Sequence, residues 1–229
     1  MHTALVTGGS AGLGLALVRA LAARGIAVVT DGRSPDTLAR IDSPGVTAVP
    51  GDVADPDHRH ELVDAVERLG GLDLLVHNAS TLGPLPMRPL RELTSRDLLA
   101  TWEVNVAAPL ELTRALLPAL RERGGVLLSL TSDAAVEHYP TWGAYAATKA
   151  ALEHLTLTVA EEEQLTCYAV DPGDMRTRMH QDAFPGEDIS DRPEPESVIP
   201  SLLALLDRRP PSGRYRAADL ALASEAVSR

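Results

Sequence analysis

The sequence predicts an α/β protein with a doubly wound parallel sheet, built as a single domain of three α/β/α layers. Short apolar runs alternate with longer amphipathic stretches along the chain. A glycine-rich turn follows the first apolar run directly. The length of 229 residues suits one α/β unit with a substantial core. We therefore expect one domain over residues 1–229.

The apolar runs have the length of buried strands, and the stretches between them have helical periodicity. Strands are predicted at residues 3–7, 27–30, 47–49, 72–76, 126–130 and 166–170, with a further strand-like piece at 212–217. Helices are predicted at residues 13–24, 58–69, 98–121 and 144–163. Continuously apolar strands that alternate with helices are typical of a parallel sheet covered on both faces.

One stretch differs from the rest of the chain in composition. Residues 184–195 are rich in proline, aspartate and glutamate, which predicts a loop between core elements. We expect a short substrate loop at about residues 174–196, with apolar contacts from Met175, Met179 and Phe184.

Charge and composition exclude several classes of function. A net charge of −11 and an aromatic content of 3% disfavour binding to nucleic acid or to an anionic membrane surface. The single cysteine, Cys167, lies in an apolar run and is expected to be buried. No metal site is expected. No apolar run approaches 18 residues and a strand begins within three residues of Met1, so we expect a cytoplasmic protein.

The turn after the first strand predicts dinucleotide binding. Glycines at positions 8, 12 and 14 permit a tight turn and let the backbone approach a pyrophosphate at the positive end of a helix. Such a cluster is weak evidence alone, because a strand–helix turn can need glycine for its backbone angles. Its place in the first βαβ unit favours a Rossmann-like nucleotide site.

The one lysine of the chain marks a second site. Lys149 follows Tyr145 by four residues, so both lie on one face of the predicted helix. All the other residues among the 21 lysines and arginines of the chain are arginines. A nearby ammonium favours phenolate, so Lys149 is expected to lower the pKa of Tyr145 towards the range of a general acid or base.

Taken together, these motifs resemble the short-chain dehydrogenase/reductase family in its compact form. The matching positions, in the order of that family, are Thr7–Gly14, Asp52-Val53, Asn78-Ala79, Asn105, Ser132, Tyr145 with Lys149, Pro172-Gly173 and Thr177. They cover residues 3 to about 180, and their joint occurrence at these spacings is far more specific than any one of them.

The resemblance implies a role for each of four residues. Tyr145 would give a proton to a carbonyl oxygen or take one from an alcohol, and Ser132 would hydrogen-bond the same oxygen. Lys149 would also hold the nicotinamide ribose, and Asn105 would fix a water in a proton relay. Two structural alternatives stay open: Ser132 as a strand-end cap, and Asn105 as a brace of a helix bend near Pro109.

The resemblance also implies the dinucleotide contacts. They are Gly8, Ser10, Gly12, Leu13, Gly14, Arg33, Asp52, Val53, Asn78, Ala79, Tyr145, Lys149, Pro172, Gly173 and Thr177.

The end of the second strand bears on the choice of cofactor. NAD-preferring members of the family carry an acid there, and the alignment places Gly32 at that position with Arg33 next. Arginine pairs well with a phosphate, so NADP(H) is favoured over NAD(H). A shift of one residue would instead make Asp31 the ribose-binding acid.

The chain departs from the family pattern at several places. His77 and Ser80 stand where the family usually has asparagine and glycine, and we expect His77 to pack at the end of the sheet. The C-terminal region lacks the usual Asp-Gly-Gly ending, so a homodimer built from the long helices is expected more than a tetramer.

Substrate identity is less defined than the chemistry. Tyr139 and Trp142 lie beside Tyr145 in a chain with seven aromatic residues, and with Ser132 they predict one wall of an apolar substrate pocket; plain core packing is the alternative. A small carbonyl or alcohol is the expected substrate. A catalytically silent NAD(P)-binding sensor or scaffold is the second hypothesis, and a dehydratase or epimerase the third.

Overall fold

In a computed structural model, which describes residues 1–220, seven strands form one parallel sheet. The strands are β1 Thr3–Val6, β2 Ala27–Gly32, β3 Val46–Pro50, β4 Leu74–His77, β5 Val126–Leu130, β6 Thr166–Asp171 and β7 Gly213–Arg216. Their order across the sheet is β3-β2-β1-β4-β5-β6-β7, and every neighbouring pair is parallel. The sheet confirms the predicted fold class. The last nine residues of the single domain expected over 1–229 lie outside the described residues.

Helices connect the strands. They are α1 Gly12–Ala23, α2 Pro35–Leu38, α3 Pro56–Arg68, α4 Ser95–Trp102, α5 Ala108–Arg123, α6 Gly143–Glu163, α7 Arg178–Ala183 and α8 Ile199–Arg208. Three short 3₁₀ turns lie at Leu90–Glu92, Asp133–Ala135 and Pro195–Val198.

Two apolar cores lie on opposite faces of the sheet. Ala4 and Val6 of β1 face one core with α1 and α8, while Leu5 between them faces the other core with α3, α5 and part of α6. This alternation follows from the twofold side-chain period of a strand. Both faces of the central strands are therefore buried, as the continuous apolar runs predicted.

The predicted helix over residues 98–121 is interrupted in the structure. A π-helical segment, Glu103–Ala107, separates α4 from α5, and the N–H of Ala108 donates to the carbonyl of Glu103. Pro109 has no N–H to offer the carbonyl of Asn105, four residues earlier, so a regular α-helical ladder cannot pass this point. Such π segments are frequent at functional sites.

The predicted loop region contains more regular structure than its composition indicated. Helix α7 lies within residues 174–196, and α8 follows it. Both helices start near prolines or polar caps that resemble loop sequence: Thr177 caps α7 by accepting from the N–H of His180, and Pro200 occupies the first turn of α8. Among residues 1–220, no helix combines the length and apolar character needed to cross a membrane.

Candidate active site

One large cavity lies at the carboxyl edge of the sheet. Its volume is about 680 Å³, and it is lined by the loops that follow β1 through β6. In open α/β sheets this edge is where ligands bind, because the strand order reverses there and leaves a crevice. The predicted nucleotide motif and the predicted Tyr–Lys pair open onto this same cavity.

The glycine-rich turn forms one end of the cavity. Gly8 has φ +69°, and a Cβ there would lie 2.9 Å from the Cα of Ala79, so no other residue fits without strain. Ala11, the N-cap of α1, makes no side-chain cap hydrogen bond. The first N–H groups of α1 therefore lack a side-chain acceptor, and they can hold a phosphate at the positive end of the helix.

The structure at the end of β2 bears on the alternative assignments of Asp31 and Gly32. Asp31 is 2% exposed, and its carboxylate accepts a hydrogen bond from the Gly8 N–H at 2.6 Å. This carboxylate is therefore buried beneath the glycine-rich turn. A Cβ at Gly32 would lie 2.6 Å from Ser10 Oγ, which leaves no room for an acid there unless Ser10 moves. Arg33 is exposed and lines the cavity.

Three of the predicted catalytic residues meet at the other end of the cavity. Ser132 follows β5, and Tyr145 and Lys149 lie on successive turns of α6. Lys149 is 3% exposed; its ammonium donates to the carbonyl of Leu130 at 2.7 Å and lies 5.6 Å from the centre of the Tyr145 ring. The strand end and the helix thus bring a hydroxyl, a phenol and a cation together.

The electrostatics of the pair differ from the sequence-based expectation. Burial raises the pKa of Tyr145 above its usual value, a hydrogen bond with Ser132 offsets part of that rise, and Asp133 and Asp171 add to it. The expected lowering by Lys149 is therefore wrong for the protein alone. Burial also lowers the pKa of Lys149 to about 8. The cation is present below that pH and is lost as the pH rises through it.

Asn105 acts as a brace through its side chain. Its Oδ1 accepts from the N–H of Thr81 at 2.9 Å and from the Ser80 hydroxyl at 3.2 Å, and its Nδ2 donates to the Thr81 carbonyl and to Thr148 Oγ1. The Thr148 hydroxyl donates in turn to the Tyr145 carbonyl at 2.7 Å. This chain of contacts connects the loop after β4 to the helix that carries the phenol. Ser80, which stands where the family usually has glycine, therefore has a structural role as a donor to Asn105.

Asp133 is a site residue that the sequence motifs did not single out. Its Oδ1 accepts from the Ser132 hydroxyl at 2.9 Å and from the Ala134 N–H at 2.8 Å, and its Oδ2 accepts from the Tyr139 hydroxyl at 2.8 Å. Burial raises the pKa of this carboxyl, but these hydrogen bonds more than offset that and keep it lowered. The position next to Ser132 is the signal that could have found it. Ser132 also caps the following turn by accepting from the Ala134 N–H.

An apolar wall stands beside the phenol. Trp142 packs edge-on against Tyr145, with ring centres 5.6 Å apart, and also contacts Phe184. Met179 packs against the same cluster and lines the cavity. Tyr139 is placed differently from the expectation: it is 44% exposed and does not line the cavity, and it reaches the site through Asp133 and Trp142.

His77 packs at the end of the sheet, as predicted. It is 2% exposed, and its Nε2 lies 2.7 Å from the hydroxyl of Thr113. Burial, with a smaller contribution from Lys149, lowers its pKa to about 3, so the imidazole is neutral at ordinary pH. It does not line the cavity.

Most of the residues expected to contact a dinucleotide line the cavity. They are Gly8, Ser10, Gly12, Leu13, Arg33, Asp52, Val53, Asn78, Ala79, Tyr145, Lys149, Pro172, Gly173 and Thr177. Gly14 does not line it; a Cβ there would overlap Asn78 and the Gly8 carbonyl, so this glycine permits close packing of α1. In residues 1–220 no cluster of three or more His, Cys, Asp or Glu side chains could hold a metal ion.

The chain is similar in sequence to known short chain dehydrogenases and reductases. The family model described as short chain dehydrogenase matches residues 2–188. The chain is 32% identical to L-xylulose reductase of Bos taurus over 224 residues, which covers 90% of this chain and 89% of that protein. It is 36% identical to a short chain dehydrogenase of Pseudocercospora fijiensis over 193 residues, 77% of this chain but 60% of that longer protein.

Solved structures show the same likeness. A short chain dehydrogenase from Shigella flexneri, complexed with NADP, has a TM-score of 0.86 and 29% sequence identity. The match covers 95% of this chain and 97% of that one.

Proposed function

This chain belongs to the short-chain dehydrogenase/reductase family, and from that premise we propose that it interconverts a carbonyl and an alcohol with NADP(H), using Tyr145 as general acid and base. The observation that carries the proposal is the meeting of Ser132, Tyr145 and Lys149 at one end of a cavity whose other end is a helix N-terminus without a side-chain cap. When bound, the nicotinamide supplies or accepts the hydride.

The side chains of the protein would handle the proton. With its raised pKa, Tyr145 keeps its proton at neutral pH and can donate it to a carbonyl oxygen in the reducing direction. The Ser132 hydroxyl, which donates to Asp133 in the structure, would turn to that same oxygen and stabilise its developing charge. Trp142 beside the phenol would exclude water from the reacting end.

Lys149 and Asn105 would complete the site. The Lys149 ammonium lies 5.6 Å from the centre of the Tyr145 ring and would offer its donors to the nicotinamide ribose. Pro109 leaves the Asn105 carbonyl without its α-helical donor, which supports the implied role of Asn105 in positioning a relay water. The Asn105 side chain is already satisfied by protein groups, so that water would bind the carbonyl.

The preference for NADP(H) rests on the end of β2. Arg33 is exposed at the cavity and would pair with a 2′-phosphate, and an acid at position 32 would require Ser10 to move. The Asp31 carboxylate accepts a hydrogen bond from the Gly8 N–H beneath the glycine-rich turn. The related Shigella flexneri structure with NADP supports the same preference.

Replacing Arg33 by alanine is expected to raise the KM for NADPH at least tenfold and to change the KM for NADH by less than about threefold. Only NADPH has a 2′-phosphate to lose as a partner. Steady-state kinetics with both cofactors measures the difference, and Arg40→Ala, an exposed arginine outside the cavity lining, is the matched control. Equal effects on both cofactors would show that Arg33 does not read the phosphate.

The substrate proposed is a small uncharged ketone or aldehyde, or the corresponding alcohol. Trp142 and Met179 supply apolar contacts, while the Asp133 carboxylate beside Ser132 would repel an anionic group next to the reacting carbon. A screen of NADPH oxidation tests this with 3-pentanone, 1-hydroxy-2-butanone and 2-oxobutyrate, which share one ethyl ketone half. Turnover should be measurable with the first two and weakest with the oxo acid.

The same screen separates the enzyme from a silent scaffold. Tight NADPH binding without turnover of this panel or of a wider aldehyde panel would favour the cofactor-binding sensor. An oxo acid as the best substrate would contradict the proposed role of Asp133 in selecting uncharged substrates.

A homodimer through α4 and α5 is also proposed. Four large apolar side chains are exposed on these consecutive helices: Leu98, Leu99, Trp102 and Leu110. Such a cluster of exposed apolar groups is typical of a protein interface. Light scattering is expected to give twice the mass of one chain, and Leu99→Glu, at 66% exposure the most accessible of the four, should shift the mass towards the monomer. Cytoplasmic location stays a prediction from the sequence.

A further inference from the structure

A buried ion pair lies beneath the adenosine end of the cavity. Asp31 is 2% exposed and His58 is 4% exposed, and His58 Nε2 lies 3.1 Å from Asp31 Oδ2. The other carboxylate oxygen of Asp31 accepts from the Gly8 N–H at 2.6 Å. The pair thus joins the glycine-rich turn to the first turn of α3, and neither residue belongs to the catalytic end of the site.

The surroundings of His58 hold its imidazole in place. Gly51, which lines the cavity, has no room for a Cβ because the His58 ring packs directly against its backbone. His58 Nδ1 is buried and has no hydrogen-bond partner, and the carboxylate of Glu61 lies 3.6 Å away. The charged groups that face His58 are therefore Asp31 from β2 and Glu61 from α3, both acidic.

The charge of Asp31 presents a problem for NADP(H). The carboxylate adjoins Gly32 and Arg33, where the 2′-phosphate would bind, and it lines the same cavity. An uncompensated carboxylate there would repel a phosphate dianion, since like charges at a buried site interact strongly. A protonated His58 cancels that charge without adding a group to the cavity surface.

We propose that His58 is a cofactor-specificity residue: its protonated imidazole neutralises Asp31 and so allows the adenosine end to accept the 2′-phosphate of NADP(H). The inference rests on the proposed function for its cofactor, but it concerns the difference between NADPH and NADH rather than turnover. It predicts that the preference for NADPH is controlled from beneath the site as well as by Arg33.

A dependence on pH follows from this assignment. The hydrogen bond to Asp31 raises the pKa of His58, and this outweighs the opposing effect of burial. His58 is therefore charged below that raised pKa and loses its charge as the pH rises through it. The pair then changes from neutral to a net charge of −1, which weakens NADPH binding and affects NADH much less. Lys149 also titrates near pH 8, but it faces the nicotinamide half that both cofactors share.

The test is the ratio of the dissociation constants of NADH and NADPH, measured by fluorescence of the bound cofactor from about pH 6, below the ordinary histidine pKa, to about pH 9.5 at constant ionic strength. For the wild type the ratio should fall at least tenfold over this range, which corresponds to about 1.4 kcal/mol. His58→Gln keeps an N–H donor towards Asp31 but carries no charge. At the lowest pH, this variant should raise the dissociation constant of NADPH about tenfold and change that of NADH by less than about threefold. The ratio of the two constants should then be independent of pH.

Two further variants keep the result interpretable. His60→Gln changes an exposed histidine on the same helix and should behave as the wild type. Asp31→Asn keeps an acceptor for the Gly8 N–H and removes the carboxylate charge, so in the His58→Gln background it should restore NADPH affinity. If His58→Gln does not fold, Asp31→Asn alone should bind NADPH at about pH 9.5 nearly as tightly as the wild type does at about pH 6, because the carboxylate charge is absent.

Several results would overturn the inference. Equal weakening of NADPH and NADH by His58→Gln, or no rescue by Asp31→Asn, would show that the pair only supports the fold of the turn. A flat ratio in the wild type with NADPH bound would refute the inference and leave the proposed function intact. Failure of the wild type to bind either cofactor would refute both.

Discussion

Replacing Tyr145 by phenylalanine is expected to lower kcat/KM for carbonyl reduction at least a hundredfold and to leave the dissociation constant of NADPH within about threefold. The phenol lies at the reacting end of the cavity and keeps its proton at neutral pH, because burial raises its pKa, so it can give that proton to a carbonyl oxygen. Phenylalanine preserves the packing against Trp142, so the loss isolates the hydroxyl. Steady-state kinetics and equilibrium cofactor binding measure the two quantities.

Tyr215→Phe is the matched control for this prediction. Its hydroxyl donates to the Pro211 carbonyl and lies outside the cavity, so its loss should leave kcat/KM nearly unchanged. A Tyr145→Phe variant that retained more than a tenth of the wild-type kcat/KM, a loss below about 1.4 kcal/mol, would show that Tyr145 is not the proton donor.

Replacing Lys149 by arginine is expected to lower kcat/KM at least a hundredfold, about 2.7 kcal/mol, although the charge is preserved. Lys149 is 3% exposed, and its ammonium fits between the Leu130 carbonyl and the Tyr145 ring. A planar guanidinium is larger and would displace the phenol or the ribose. NADPH binding should weaken as well, since the same cation is proposed to hold the ribose.

The pH profile adds a test of the Lys149 charge. Because burial lowers the Lys149 pKa to about 8, its charge is lost above that pH, and wild-type kcat/KM for reduction should fall there. Lys149→Met has a side chain of similar length without the charge. The residual kcat/KM of this variant should not fall as the pH rises through about 8. Unfolding temperatures of all variants control for loss of structure. An arginine variant with wild-type rate and profile would show that a positive charge alone suffices.

The local motifs were sufficient to predict the fold class and most of the residues that line the candidate site. Alternation of apolar runs and helical stretches predicts the parallel sheet, because each strand must bury both faces. The turn at Gly8, the Ser132 position and the Tyr145–Lys149 spacing each depend on a few adjacent residues. Gly8 and Ser132 follow strand ends, Tyr145 and Lys149 lie on α6, and all four line the cavity at the carboxyl edge of the sheet, where such folds bind ligands.

Properties set by distant residues were not available from those motifs. The direction of the Tyr145 pKa shift depends on how many groups from other segments cover the phenol, and a four-residue spacing cannot report that burial. The Asn105 side chain likewise binds Thr81 and Thr148, which lie 24 and 43 residues away along the chain, so these contacts could not be predicted locally, whereas Pro109 marks the helix break itself.

Asp31 and Asp133 also show the difference between what the local sequence predicts and what distant residues set. By itself, the sequence determined which strand ends carry acids and glycines, and so where a dinucleotide would bind. Only the tertiary structure decided where each carboxylate points: Asp31 towards His58 and the Gly8 N–H, and Asp133 towards Ser132 and Tyr139. The physical reason is that a buried or partly buried carboxylate is stabilised by whichever donors the fold brings near, and those donors come mainly from other segments of the chain.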